Sequence, residues 1–255
     1  MGRQLLSAVA ERQDALLGAA IDIPGPSVGL DSSVLSGGDP TGVLVSASAA
    51  GLPDDVDVVV DFTRPEATLH LLSSLPASCA VVIGTTGFDN DQLIQLKEAA
   101  AHRPVVFAAN YSIGVTLCLT LLHQAAQALG DDYDVEVIEA HHRHKVDAPS
   151  GTALALGQVL ADALGRNLSD CAVYGREGIT GERDTKTIGF ETIRAGDIIG
   201  EHTVLFAGNG ERIEITHRAT DRMTFARGAI HAAAWLKGKT NGLYDMRDVL
   251  GLTTP

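Results

Sequence analysis

The residues best suited to chemistry lie close together between Glu139 and Ala153, in the run EAHHRHKVDAPSGTA. Residues 141–145 alone supply three histidines, one arginine and one lysine. Imidazole titrates near neutral pH, so any of the three histidines can deliver a proton. The arginine and the lysine add positive charge that suits an anionic substrate. The segment therefore predicts proton transfer to a small acidic molecule.

The second half of this run predicts a binding site for a carboxylate. A strand is expected to end at Ala140 and a helix to begin at about Ser150, which places the polar cluster on the connecting loop. Ser150 is a good helix N-cap, and the first free N–H groups of the helix, near Gly151 and Thr152, attract anions. Gly151 also allows a ligand to approach the backbone closely. In open α/β folds, loops of this kind face the ligand crevice.

Two other interpretations of the cluster are weaker. One is a solvated polar loop before a capped helix, but five cationic or titratable side chains in succession argue against it. The other is a metal site built from His141, His142 and His144. Adjacent side chains on an extended segment point to opposite faces, and Arg143 and Lys145 would repel a cation. We therefore expect no metal.

The composition of the whole chain narrows the classes of protein and partner. Its 255 residues allow one large domain or two modest ones, and 45% hydrophobic residues suffice for a sizeable core. The net charge of −13 argues against a nucleic-acid partner, which needs basic patches. A basic pocket for an anionic substrate must therefore be local.

Cysteine usage and hydropathy predict a cytoplasmic protein. The three cysteines, Cys79, Cys118 and Cys171, are odd in number and widely spaced, so neither a disulfide framework nor a thiolate zinc site is expected. No apolar run approaches the roughly 18 residues that span a bilayer, and the N-terminus lacks a signal-peptide pattern. We expect no membrane partner.

The order of predicted elements indicates two kinds of domain. The first half alternates apolar runs with helical stretches, which is typical of a parallel sheet covered on both faces. The second half alternates polar and apolar residues, which favours an α+β domain of mixed or antiparallel sheet with one solvated face. The last helix is expected to return to the first, nucleotide-binding domain. The predicted strands are Leu16–Asp22, Gly42–Ser48, Val56–Phe62, Ala80–Thr85, Val105–Asn110, Asp134–Ala140, Thr187–Arg194, Glu201–Ala207 and Glu211–Arg218, and the predicted helices are Gly2–Arg12, Pro65–Ser74, Asp89–His102, Gly114–Leu129, Ser150–Leu164 and Met223–Lys237.

The run from Glu139 to Ala153 resembles the signature of the dihydrodipicolinate reductase (4-hydroxy-tetrahydrodipicolinate reductase) family, Glu-x-His-His-x-x-Lys-x-Asp-x-Pro-Ser-Gly-Thr-Ala, which is highly specific. Four further segments are similar to the family: DFTRP at 61–65, GTTGF at 84–88, AANYSIGV at 108–115 and RAGDIIGEH at 194–202. The resemblance covers the chain to about Leu250. It implies that hydride from NADH or NADPH reduces a cyclic dicarboxylate to tetrahydrodipicolinate, in lysine and diaminopimelate biosynthesis. It also implies a Rossmann-like domain (residues 1–112 and 222–255) and a substrate domain (113–221) through whose sheet a homotetramer assembles.

The resemblance also implies roles for individual residues. His141 matches the proton donor, and Lys145 matches a second acid that also contacts a substrate carboxylate. His142 matches a substrate-binding residue, and Gly151 and Thr152 match the pair that holds the other carboxylate. Two segments match those that line the nicotinamide, namely Gly84, Thr85 and Thr86, and Ala108, Ala109, Asn110 and Tyr111.

The start of the chain departs from the family pattern. The usual first strand and its Gly-x-x-Gly-x-x-Gly phosphate loop have no counterpart, and Met1-Gly2-Arg3 matches only the tail of that loop. A pyrophosphate normally rests on such a loop, so we expect a chain extended by this strand and loop to bind NADH more tightly than this one. The alternative to a reductase is a non-catalytic nucleotide-sensing or scaffold relative that lacks the phosphate loop. The intact His141–Lys145 segment argues against this alternative.

The choice between NADH and NADPH is expected to depend on Asp22, which lies where a ribose-binding acid normally follows the second strand. Asp22 can accept hydrogen bonds from a ribose diol but repels a 2′-phosphate, and Ile23 offers no compensating cation. We therefore expect a preference for NADH or dual use, with Arg64 as the residue that can still reach the phosphate of NADPH. The other interpretation of Asp22 is a carboxylate in a strand-end turn.

Overall fold

A computed structural model describes residues 1–53 and 55–252 of the chain. These residues fall into two units, one formed by Met1–Ile113 with the segment from Met223 on, and the other by Gly114–Arg222. The division expected from the sequence differs by one residue at each boundary. The assignment of nucleotide binding to the first unit and substrate binding to the second stays a prediction.

The first unit contains two parallel sheets. Its strands are β1 (Ala20–Ile21), β2 (Val45–Ser46), β3 (Val58–Asp61), β4 (Ala80–Ile83), β5 (Pro104–Phe107) and β11 (Gly242–Tyr244). One sheet has four strands in the order β11-β5-β4-β3, and β1 and β2 form a separate two-stranded sheet. Its helices are α1 (Gly2–Ala10), α2 (Ser32–Leu35), α3 (Pro65–Ser74), α4 (Asn90–Ala100), α8 (Met223–Trp235) and α9 (Met246–Leu250).

Strand β4 explains why the sequence of this sheet is apolar without interruption. Val81 and Ile83 pack with residues of α3 and α4, whereas Val82 packs with residues of α8. Because successive side chains of a strand point to opposite faces, a strand covered on both sides needs apolar residues at every position. The predicted parallel α/β architecture is confirmed.

Strand β1 is much shorter than the predicted strand Leu16–Asp22. Only Ala20 and Ile21 pair, with Val45 and Ser46, and Leu16 is exposed. The run LLGAAID contains three consecutive weak strand formers, Gly18, Ala19 and Ala20, which lower its tendency to form an extended ladder. Strand β11 was not predicted from the sequence, because its three residues give too few positions for a periodic pattern.

The second unit contains a five-stranded sheet and three helices. Its strands are β6 (Asp134–His141), β7 (Ala172–Tyr174), β8 (Ile188–Arg194), β9 (Gly200–Ala207) and β10 (Arg212–Ala219), and its helices are α5 (Ile113–Leu129), α6 (Gly151–Ala163) and α7 (Leu168–Cys171). The strands lie in the order β10-β9-β6-β8-β7. The central strand β6 runs antiparallel to β9 and parallel to β8, so the predicted mixed sheet is confirmed.

Strand β6 presents every second residue to the helices of this unit. Val135 and Val137 are buried in one hydrophobic core with Leu122 of α5 and Leu160 of α6. The same face continues to Glu139 and ends at His141, since the side-chain period of a strand is two. Two polar groups therefore occupy positions that an ordinary strand would fill with apolar side chains.

Helix α5 corrects one expectation from the sequence. Together with the 3-10 turn Gly130–Asp132 that continues it, α5 gives a helical segment of 20 residues, Ile113–Asp132, long and apolar enough, by length and composition, to cross a membrane. Interspersed Thr, His and Gln residues break the run of consecutive apolar residues, so the sequence contains no uninterrupted apolar stretch of this length. Length and composition alone are weak grounds for a span, and Val115, Leu122 and Ala126 of this helix are buried in the unit.

Candidate active site

The carboxyl end of β6 carries a buried pair of a carboxylate and an imidazole. Nδ1 of His141 lies 2.5 Å from Oε2 of Glu139. Glu139 is 1% exposed and His141 9% exposed, so the contact is shielded from solvent. A buried carboxylate is costly unless it is paired and hydrogen-bonded, so the other partners of Glu139 decide whether it stays charged.

Glu139 has a full set of donors around its two oxygens. Arg194 donates from Nη2 to Oε1 at 2.8 Å and from Nη1 to Oε2 at 2.9 Å, a bidentate pair. The Ser150 N–H and the Thr192 hydroxyl donate to Oε1 at 3.1 and 3.3 Å. Burial alone raises the pKa of a carboxyl group, but Arg194 and His141 outweigh it and hold the pKa of Glu139 below its ordinary value. Glu139 is therefore ionised at neutral pH.

The strand register brings these groups together from distant parts of the sequence. His141 faces Arg194 across the parallel β6–β8 ladder, and Glu139 faces Thr192. On the other side, Glu139 faces His202 across the antiparallel β6–β9 ladder. Each partner is fixed by backbone hydrogen bonds of the sheet, so the site is built on rigid elements rather than on a loop.

His202 is a neutral neighbour of His141. The two rings lie 5.1 Å apart with an edge-to-face geometry. Nε2 of His202 lies 3.0 Å from Oγ of Ser150, which also accepts the N–H of Ala153 at 3.1 Å and so caps α6 as predicted. Burial, followed by the nearby His141, lowers the pKa of His202 to about 4. His202 thus adds no second positive charge beside His141.

Burial also lowers the pKa of His141, and the contact with Glu139 opposes that effect only in part. The positive charges of Lys145 and Arg194 act in the same direction as burial. Space for the ring is provided by Gly200, where an added Cβ would lie 3.1 Å from Nε2 of His141. A small residue at 200 therefore keeps the second ring nitrogen uncovered.

The loop that follows β6 does not form the single cluster that its sequence suggested. Lys145 donates to both oxygens of Asp147, at 2.8 and 2.9 Å, and this ion pair lowers the pKa of Asp147. His142 lies with Nε2 3.3 Å from Nη2 of Arg222, a partner that the sequence analysis did not identify. His144 is exposed.

This arrangement does not support the metal site of three histidines. The rings of His142 and His144 are 6.2 Å apart, whereas His141 turns inward to Glu139. Within the described residues, Glu139, His141 and His202 do have ligand atoms within 4.8 Å of one another. Both oxygens of Glu139 already accept hydrogen bonds from Arg194, so a cation there would meet a guanidinium. The absence of a metal stays our prediction.

The start of α6 has the features expected of a carboxylate site. Gly151 is the first helical residue, it is exposed, and a Cβ added there would meet nothing within 4 Å. Thr152 is half-buried and lines the same small cavity as His202. The preceding N–H, that of Ser150, is already used by Glu139. The helix terminus and the buried pair are thus directly linked.

The candidate cofactor residues of the first unit follow the carboxyl ends of β3, β4 and β5. These strands are parallel, so their ends share one edge of the sheet. The loops there are tied together: the Thr63 N–H donates to Oγ1 of Thr85 at 2.9 Å, and the Tyr111 hydroxyl lies 2.8 Å from the Ile83 carbonyl oxygen. Loops at this edge of a parallel sheet are the usual place for a nucleotide.

Several of these predicted residues face the protein rather than solvent. Thr85 and Tyr111 are 2% and 1% exposed, and burial raises the pKa of Tyr111 far above its ordinary value. Gly84 is required by its neighbour, because a Cβ there would lie 2.2 Å from the ring of Phe62. Any contact of these residues with a cofactor must come from the backbone. Within Gly84–Thr86 and Ala108–Tyr111, the exposed side chains are those of Thr86 and Ala109.

Asp22 follows β1 of the two-stranded sheet and Arg64 follows β3 of the four-stranded sheet, and both are exposed. Asp22 accepts the Ile23 N–H at 2.8 Å and the Ser27 hydroxyl at 2.7 Å, which is the strand-end turn considered as its other interpretation. Arg64 precedes the first turn of α3 and has no ion pair among residues 1–53 and 55–252. An exposed guanidinium at a sheet edge fits a phosphate group.

Comparisons with known proteins agree with this geometry. Two family models match the chain, "Dihydrodipicolinate reductase, N-terminus" over residues 1–111 and "Dihydrodipicolinate reductase, C-terminus" over residues 114–250. A 4-hydroxy-tetrahydrodipicolinate reductase from Hahella chejuensis (strain KCTC 2396) is 62% identical over 254 residues, which are 99% of this chain and 95% of that protein.

Solved structures extend the comparison. A dipicolinate-bound dihydrodipicolinate reductase from Paenisporosarcina sp. TG-14 aligns over 96% of this chain and 92% of its own, with a TM-score of 0.73 and 25% identity. An amine dehydrogenase from Mycobacterium smegmatis aligns over 95% of this chain and 91% of its own, with a TM-score of 0.62 and 11% identity, which indicates the fold alone. With nearly every residue covered by the two family models, the chain belongs to the dihydrodipicolinate reductase family.

Proposed function

We propose that this chain is a 4-hydroxy-tetrahydrodipicolinate reductase of lysine and diaminopimelate biosynthesis, acting in the cytoplasm. The observation that carries the proposal is the buried pair of His141 and Glu139, placed next to the N-terminus of α6. The relative from Paenisporosarcina binds dipicolinate, a ring with two carboxylates, which supports a substrate of the same class. The 62% identity to a reductase of this name supports the reaction.

The net reaction replaces a ring hydroxyl with hydrogen, so one hydride and one proton enter and one water leaves. A bound nicotinamide cofactor supplies the hydride. Loss of the ring hydroxyl as water leaves a conjugated imine. When this imine gains hydride, negative charge develops on it, and a nearby acid can stabilise and then protonate it. His141 supplies this proton from Nε2, since Nδ1 is occupied by Glu139. Burial lowers the pKa of His141 in the free protein, and the charge of a bound dicarboxylate opposes this shift.

The substrate carboxylates are held by two groups of the second unit. One carboxylate rests on the backbone N–H of Gly151 and the hydroxyl of Thr152, where the N-terminus of a 13-residue helix favours an anion. The other carboxylate contacts Lys145. The ammonium group of Lys145 must then either bind this carboxylate together with Asp147 or release Asp147 in exchange for it. His142, supported by Arg222, adds a further contact to the substrate.

The nicotinamide cofactor is proposed to bind at the edge formed by the ends of β3, β4 and β5. Gly84–Thr86 and Ala108–Tyr111 would line it, largely through their backbone. Each oxygen of Asp22 accepts one hydrogen bond and keeps a lone pair for a ribose hydroxyl. Arg64 remains available for a 2′-phosphate.

The proposed assembly is a homotetramer formed through the five-stranded sheet. The face opposite α5 and α6 carries Ile138, Ile193 and Leu205, of which Ile193 is 47% exposed. Apolar residues on an uncovered sheet face favour burial against another copy.

The reductase is tested by following the oxidation of reduced cofactor at 340 nm, a wavelength at which only the reduced nicotinamide absorbs, with the cyclic substrate and each cofactor in turn. We expect kcat/KM for NADH to equal or exceed that for NADPH, because Asp22 repels a 2′-phosphate. Arg64→Ala is expected to lower kcat/KM for NADPH alone, since only NADPH carries the phosphate. A clear excess for NADPH would refute the preference, and no turnover with either cofactor would favour the non-catalytic relative.

The two carboxylate contacts are expected to respond differently to substitution. Lys145→Ala should lower kcat and raise KM together, because Lys145 both binds and stabilises developing charge. Thr152→Val should mainly raise KM, by roughly tenfold, the worth of one hydrogen bond to a charged group. Thr240→Val is the control, since its exposed hydroxyl contacts Tyr244 in the first unit, whereas Thr152 belongs to the second. A KM unchanged in Thr152→Val would place the carboxylate elsewhere.

A further inference from the structure

We propose that Glu139, held by Arg194, is the positioning residue of the site: it determines which ring nitrogen of His141 carries the transferable proton. The inference rests on the proposed function, in which His141 is the proton donor. It concerns a residue that neither binds substrate nor touches the reacting atoms. Glu139 and Arg194 together form a clamp on His141.

The first step is the protonation state of the two partners in contact. An ionised carboxylate only accepts hydrogen bonds, so the 2.5 Å contact requires a proton on Nδ1 of His141. In neutral His141, Nε2 then bears the lone pair, and in the cation Nε2 bears the second proton. Proton transfer is thereby confined to Nε2, which has no partner among the described residues and faces the space left by Gly200.

The second step is the role of Arg194, which keeps Glu139 both ionised and immobile. Its bidentate contact fixes the plane of the carboxylate, and the N–H of Ser150 fixes Oε1 from another side. A third contact, from Nη2 of Arg194 to the Asp147 carbonyl oxygen at 2.6 Å, joins the clamp to the loop that carries Lys145. The orientation of His141 is therefore coupled to both proposed carboxylate sites.

The third step is the balance of charge at His141. Arg194 from β8 and Lys145 from the loop are positive, and Asp147 is engaged by Lys145. His202 from β9 is neutral, and it faces His217 of β10, a residue whose pKa burial also lowers. Among the described residues, Glu139 is the only carboxylate that contacts the ring of His141. Removing its charge therefore leaves His141 with cationic and neutral neighbours.

The test replaces Glu139 with glutamine in the full chain. Because Glu139 raises the pKa of His141, its loss lowers that pKa further, and the fraction of protonated donor at a given pH falls. We expect kcat/KM at pH 7.5 to fall roughly 10- to 100-fold, as when a supporting hydrogen bond to a functional histidine is removed. We also expect the decline of kcat/KM with rising pH to move to lower pH by about one unit or more.

Glu11→Gln is the matched control. Glu11 also receives a bidentate arginine, Arg227, at 2.7 and 2.9 Å, but it lies in the first unit, at the end of α1. We expect its pH profile to match that of the wild type. Glu139→Asp keeps the charge and should restore the position of the decline in pH, even if kcat stays low. A wild-type pH profile in Glu139→Gln would overturn the proposal.

A second measurement is independent of turnover and of the proposed reaction. Ring ¹⁵N chemical shifts of histidine distinguish the two neutral tautomers, and His141→Gln identifies the His141 signals by their loss. Wild-type His141 is expected to be protonated at Nδ1 when neutral and to titrate at higher pH than in Glu139→Gln. An Nε2-protonated His141 in the wild type would overturn the positioning role. Inactivity with the expected tautomer would instead contradict the proposed function alone.

Discussion

Replacing His141 with glutamine is expected to lower kcat by roughly 10²- to 10⁴-fold, the usual worth of a general acid, with a smaller change in KM. Glutamine has no group that can deliver a proton near neutral pH. Its amide N–H can still donate to Oε2 of Glu139, so the buried carboxylate need not lose its partner. The fold is therefore expected to survive, and the loss is assigned to chemistry rather than to unfolding.

Steady-state kinetics with the same reductase assay measure this effect. His144→Gln is the control, because His144 is only three residues further along the chain but lies in the loop after β6, is exposed and has no contact with Glu139. It is expected to keep kcat within about twofold of the wild type, as surface substitutions away from a site usually do. If His141→Gln also kept its kcat, the proton would have to come from another group, and Lys145, which matches the second acid of the family, is the first candidate.

The inward direction of His141 shows what the sequence could have predicted but did not. The strand was expected to end at Ala140, so His141 was assigned to the loop with His142 and His144. In the structure β6 includes His141, and the period of two then places residues 139 and 141 on the face of Val135 and Val137. The alternation in DVEVIEAH carries this signal, and an error of one residue at the boundary concealed it.

The partners supplied by other strands could not be predicted in the same way. Arg194 and His202 lie 53 and 61 residues beyond His141, and their contacts depend on the register of β8 and β9 against β6. Register follows from tertiary packing and not from local propensity, so one sequence does not reveal it. By contrast, the cap of α6 at Ser150 was predictable, because the side chain of an N-cap bonds to its own helix.

Two glycine residues show the same difference between what the sequence predicts and what only the structure identifies. The sequence assigned Gly84 to a loop that a cofactor approaches, whereas the structure assigns its lack of a side chain to contact with Phe62. Gly200 was part of a matched segment without a role, and it borders the ring of His141. A glycine in a sequence indicates that another group can lie close to the backbone, and only the structure identifies that group.

The second large effect is expected at Gly228 in α8, and here local and tertiary effects have opposite signs. Glycine inside a helix is about 1 kcal/mol less favourable than alanine, so propensity alone predicts that Gly228→Ala stabilises the protein. However, a Cβ at 228 would lie 1.8 Å from the carbonyl oxygen of Tyr111, a distance that no real contact reaches. Both groups belong to the backbone, so no side chain can rotate away. Either α8 or the segment Ala108–Tyr111 must move.

Gly228→Ala is therefore expected to lower the free energy of unfolding by about 3 kcal/mol, the upper part of the range for overpacked cores. Because the displaced segment is proposed to line the nicotinamide, KM for the cofactor should also rise. Urea denaturation measures the first effect and the reductase assay the second. Gly2→Ala in α1 is the control, since a Cβ there meets nothing within 4 Å and the same change of residue should be neutral or stabilising. If Gly228→Ala proved as stable as Gly2→Ala, helix propensity would outweigh the contact, and α8 would not pack against Tyr111 as closely as described.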